Sequence, residues 1–90
     1  MTMTVPNAVP GLWRFAFGNL LGQRRRALGL RQVDVATKIS LSEARIRQLE
    51  CGFLVKPPPP DVLDALAMAL SIDRADLIAV IFGDEPEAAA

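Results

Sequence analysis

The sequence predicts an all-α fold of five short helices in one domain, and three observations carry that prediction. Apolar residues recur at helical spacing, as in Leu63, Leu66, Ala67 and Leu70. Glycines and prolines that end helices fall between these runs, at Gly29, Gly52, Pro57–Pro60 and Gly83. The connections are short, and 90 residues fill a single domain with a modest core. Residues 1–11 read as a flexible lead-in, 12–83 as the folded domain and 84–90 as an acidic disordered tail.

Composition narrows the chemistry. There is no His and only one cysteine, Cys51, which excludes an internal disulfide and a Cys/His metal cluster. No imidazole activates Cys51 and no glycine-rich phosphate loop is present, so neither an enzyme nor a bound cofactor is expected. The start lacks both an early cation and a long apolar run, which does not fit a secretory signal. A cytoplasmic location is the expectation. Net charge is zero but unevenly spread. Residues 1–56 carry nine basic groups against three acidic, and residues 57–90 carry one basic against seven acidic. A basic face suited to phosphates, with the acidic half turned away, follows from that polarity, although an ordinary solvated surface reads the same.

The first helix is expected over Leu12–Leu28, with Trp13, Phe17, Leu20, Leu21 and Leu28 near one broad face. Gly18 and Gly22 weaken it by about 1 kcal/mol each relative to Ala. Trp13, Phe15 and Phe17 exceed what one stripe needs, so either two of them cap the core or they form a partner surface. Arg24, Arg25 and Arg26 suit the negative end of the helix dipole, and Gly29 suits the left-handed position beyond it. The second helix is expected over Gln32–Ile39, with Arg31 where a capping Ser or Thr would help. Ser40 and Leu41 make the turn, and Ser42 caps a third helix that ends at Gly52. Ile46 and Leu49 set the buried side of that helix, leaving Glu43, Ala44, Arg47 and Gln48 on the other. Those side chains can mostly donate or accept hydrogen bonds at a base edge. The prolines read as a rigid connector to a fourth helix, Asp61–Leu70. Asp73 is expected to cap a fifth, Arg74–Phe82, whose stretch from Leu77 to Phe82 is apolar all round.

The order and spacing resemble the lambda-repressor-like (Xre/Cro-type) helix-turn-helix domains. The resemblance covers about Leu20 to Phe82. It rests on Gly29-Leu30-x-Gln32, Val35-Ala36, Ile39, Ser42, Ile46, Leu49-Glu50-x-Gly52, a proline after the loop, Leu66-Ala67-x-Ala69-Leu70 and Leu77. Each element is weak alone, and their joint order is what carries the likeness. It implies a sequence-specific DNA-binding regulator, a repressor, with double-stranded DNA as partner and the third helix in the major groove. By that resemblance Gln32 touches a phosphate and braces the first residue of the recognition helix. Ser42, Glu43, Ala44, Arg47 and Gln48 face the groove, Arg45 lies near the backbone, and Lys56 is the one cation of the loop. Arg25 and Glu50 form a structural ion pair.

A homodimer seam is expected on helix five at Ile78, Ile81 and Phe82, since a run apolar on every side, Leu77–Phe82, leaves apolar surface over. Four features depart from the family pattern: Ser40 for the turn glycine, Arg24 for an apolar residue, Cys51 for a phosphate contact, and the apolar loop start Phe53-Leu54-Val55, with Arg24, Arg26 and Lys38 as the cations that can compensate at the phosphates. Two other readings accompany the first. One is an antitoxin gripping a toxin through Trp13, Phe15 and Phe53. The other is a protein-interaction module that kept the fold without DNA contact.

Overall fold

Where the helices stop is decided by one repeated device. The structure, a computed structural model, describes residues 12–54 and 56–83. The lead-in expected over 1–11, Val55 of the loop and the tail expected over 84–90 lie outside the described residues. Within them are α1 (Trp13–Ala27), α2 (Gln32–Ile39), α3 (Glu43–Cys51), α4 (Pro60–Leu70) and α5 (Arg74–Phe82), and no strand. After each of the first four helices one residue turns left-handed: Gly29 (φ 73°), Ser40 (φ 61°), Gly52 (φ 81°) and Ser71 (φ 54°). The following N–H then reaches back to a carbonyl five residues earlier. These bonds are Leu30 to Arg25, Leu41 to Ala36 and Phe53 to Gln48 at 3.0 Å, and Ile72 to Ala67 at 2.9 Å. This closure satisfies carbonyls that a helix end would otherwise leave without a partner. Serine in that conformation costs about 1 kcal/mol that glycine avoids, so the strain expected at Ser40 recurs at Ser71.

The ends match the sequence expectation with small shifts. Leu28 lies past α1 and is exposed, so it does not join the buried face expected of it. α4 starts one residue early because Pro60 occupies its first turn, where a missing N–H costs nothing.

The core gathers Phe17 and Leu21 of α1, Val35 and Ala36 of α2, and Ile46 and Leu49 of α3. Leu63, Leu66, Ala67 and Leu70 of α4, Leu77 and Ile81 of α5, and the connecting Leu54 and Ile72 complete it. Burying each large side chain contributes about 1.5–3 kcal/mol. Trp13 packs edge-on against Phe17, ring centroids 6.1 Å apart, while Phe15 stays outside. Two of the three aromatics therefore serve the core. Gly18 is buried where α1 crosses α3, and a Cβ there would stand 2.5 Å from the Glu50 carbonyl oxygen and 2.6 Å from that of Leu49. The helix-weakening glycine is thus what lets α1 seat the end of α3.

Candidate nucleic-acid interface

α3 owes its outward face to its inward one. Ile46 and Leu49 are locked in the core, and a period of 3.6 residues then turns Glu43, Ala44, Arg47 and Gln48 to solvent in two adjacent i, i+4 rows. Arg45 and Cys51 are exposed beside them. Ser42 opens the helix, its Oγ accepting the Arg45 N–H at 3.1 Å. The Arg47 Nη2 lies 3.7 Å from the Glu43 Oε2 along the outer row.

The other end of α3 is held by a junction at Glu50. Arg25 donates through Nε to Glu50 Oε2 at 2.6 Å and through Nη2 to Oε1 at 3.1 Å. Its remaining Nη1 donates to the Leu30 carbonyl at 2.9 Å. The side chains of the pair are only 13% and 10% exposed. Gln32, first residue of α2, also donates to Glu50 Oε1, at 3.2 Å. The resemblance implied that Gln32 braces the first residue of the recognition helix. The bond it makes instead ties the start of α2 to the last turn of α3. One carboxylate thereby fixes three segments, because each of its oxygens is taken by a donor from another element.

Arg31 fills the cap position of α2 without capping it, and Asp34 makes good part of the loss. The Asp34 carboxylate accepts the Arg31 backbone N–H at 2.8 Å, its Nε at 3.0 Å and its Nη2 at 2.9 Å. The Arg31 side chain and then its backbone N–H hold the Asp34 carboxyl at about 2, below its ordinary 3.8. The side-chain bond to Asp34, and next the Asp34 charge, raise the Arg31 guanidinium in turn.

A model of the helix-turn-helix domain matches residues 16–79, from α1 into α5. The chain belongs to this family. Its members are Xre/lambda-repressor-like helix-turn-helix domains, and this one is of the DNA-binding kind. No curated protein matches the chain.

In this helix-turn-helix domain α2 and α3 are the paired helices, and Ser40-Leu41-Ser42 is the turn. Lys56, Arg26 and Lys38 are exposed. Arg24 points elsewhere: its Nε donates to the Leu70 carbonyl at 3.3 Å, tying α1 to the end of α4. The sequence signalled only that Arg24 stands where the family has an apolar residue; its partner, a backbone carbonyl 46 positions away, gave no sign.

On α5 the expected seam needs correction at one residue. Ile81 is 6% exposed and belongs to the core with Leu77, one helical turn earlier. Ile78 is partly buried and Phe82 is 64% exposed. From Leu77 to Phe82 every residue is apolar, and Arg74 and Asp76 mark a polar side only in the first turn, so the run itself does not sort these three.

Trp13 belongs largely to the core, whereas Phe15 (51% exposed) and Phe53 (74% exposed) remain outside. They flank Gly52 in a shallow groove floored by Leu54, with the Arg14 guanidinium 5.0 Å from the Phe15 ring centroid. Among the described residues no helix is long and apolar enough to cross a membrane, and no three His, Cys, Asp or Glu side chains converge on a metal site.

Proposed function

We propose that this protein is a sequence-specific transcriptional regulator, a repressor, that lays α3 in the major groove of duplex DNA. The observation that carries the reading is the solvent-facing double row Glu43–Arg47 and Ala44–Gln48 on a helix fixed at both ends. Its chemistry suits base edges. Arg47 can pair with guanine O6 and N7, Gln48 with adenine, and the Ala44 methyl can pack on a thymine methyl. Ser42 sits at the groove-facing start, and Arg45, Lys56 and the amide of Gln32 serve the backbone phosphates. A single module of this kind makes few base contacts, so two copies read two half-sites about 34 Å apart. Phe82, with the open side of Ile78, supplies the seam.

A second reading rests on the exposed Phe15 and Phe53, whose groove fits a protein partner better than DNA. An antitoxin that binds its own operator and a toxin would use both surfaces.

Selection of bound duplexes from a random pool at near-physiological salt tests these readings. An enriched inverted repeat supports the dimeric regulator, and a lone half-site removes the dimer. No enrichment turns the bet to a protein partner. On the enriched site Arg47→Ala should cost about 1–3 kcal/mol and relax one position, whereas Arg26→Ala should weaken all sequences alike. Equal losses on cognate and random duplexes for both variants would remove α3 from the role of reader.

A further inference from the structure

Glu43 stands out on the proposed reading face, because a carboxylate there repels phosphates whatever the sequence. It lies in the first turn of α3, where helix-dipole stabilisation alone would account for an acid. One observation points further. Its Oε2 faces the Arg47 Nη2 at 3.7 Å, both side chains being about half exposed.

We infer that Glu43 is a positioning residue: it holds the Arg47 guanidinium along the outer row of α3, and so sets how strictly one base pair is read. This rests on the proposed reading of DNA by α3. An exposed arginine has several rotamers, and a fork-shaped contact to guanine needs one of them. A carboxylate one helical turn earlier restricts the choice while engaging one end of the guanidinium, and leaves the other N–H groups free for a base. The same charge lowers affinity for every duplex. Weaker binding everywhere, combined with better orientation on one sequence, is how specificity arises from a difference of affinities.

Two effects of opposite sign follow, and they separate this role from helix-dipole stabilisation. Wild type, Glu43→Gln, Arg47→Ala and the double variant would be titrated by fluorescence anisotropy on three duplexes. These are the sequence enriched by wild type, the same duplex changed at the base pair that Arg47→Ala stops selecting, and a random duplex. Glu43→Gln should bind the random duplex about threefold more tightly, yet discriminate the changed base pair about threefold less. In the Arg47→Ala background the substitution should leave discrimination unaltered. Thermal melts of all four proteins check that the fold is retained, and Gln at an exposed first-turn position fills the same volume. If Glu43→Gln tightens all three duplexes by one factor and keeps the discrimination, Glu43 is only a repelling charge and the inference is overturned while α3 remains the reader. If wild type enriches no sequence, DNA reading by α3 fails, and this role fails with it.

Discussion

The chain contains nearly the same turn twice, and the two copies lead to different surfaces. Ser40-Leu41-Ser42 joins α2 to α3, and Ser71-Ile72-Asp73 joins α4 to α5. In each, a left-handed serine ends one helix, an apolar residue closes back five positions, and an extended residue starts the next helix. Yet α3 turns Glu43, Ala44, Arg47 and Gln48 outward along its length, whereas α5, beyond an exposed first turn of Arg74, Ala75 and Asp76, turns out Phe82 and half-covers Ile78, Ala79 and Val80. The turn therefore specifies how two helices meet and carries no information about what they do. Function enters through the side chains that the core does not take.

The tethers differ as well, and the largest predicted effect exposes that difference. α3 is tied by the mostly buried Arg25–Glu50 pair, α5 by the exposed Arg74–Asp64 pair. Glu50→Ala strands a buried guanidinium and removes the Gln32 bond, so it should cost about 3 kcal/mol. Asp64→Ala breaks a solvated pair and should cost less than about 1 kcal/mol. Urea unfolding of both variants tests the ranking. Losses of equal size would mean that the two hairpins are anchored alike, and the comparison would collapse.

How far this contrast was legible in the sequence follows from the type of signal each residue gives. Helix stripes were readable because Leu63, Leu66, Ala67 and Leu70 repeat at 3.6 residues, and all four are buried. Ser40 was readable as a strained position only because glycine is usual there. Ser71 stands at an equivalent turn without such a reference, and its left-handed backbone went unread. Gly18 signalled a weak helix and proved to be a crossing point, since propensity is local while the approach of α3 is not. Arg25 with Glu50 could be paired only through the family resemblance, being 25 positions apart. Asp34 went unread, although an acid three residues beyond a cap position is a local signal.

The two helix starts offer a finer cut. Ser42 accepts the Arg45 N–H, whereas Asp73, expected to cap α5, makes no side-chain cap bond. Ser42→Ala should therefore lose about 1 kcal/mol, and Asp73→Ala only a few tenths, about what a charge near the dipole contributes. The preceding serines should behave alike, Ser40→Gly and Ser71→Gly each gaining up to about 1 kcal/mol as left-handed strain is released. Chemical denaturation of the four variants separates these cases. Matching losses at Ser42 and Asp73 would show that Asp73 caps in solution and that the turns are equivalent at both ends.

The smallest effect lies at the start of α2, where the first hairpin has an acid-sensitive clamp. The Asp34 carboxyl is held at about 2 against an ordinary 3.8, chiefly by the Arg31 side chain and next by its backbone N–H. Because the folded value is the lower one, the clamp's contribution to stability is complete above about 3.8. It declines as pH falls from there and is gone below about 2. The clamp lies at the surface, so its share in stability is small and screened by salt. An NMR titration of the Asp34 side-chain carbon should give a midpoint near 2, and Asp34→Asn should flatten the acid limb of the stability curve. A midpoint near 3.8 would show that Arg31 does not hold Asp34 in solution, and α2 would then begin uncapped.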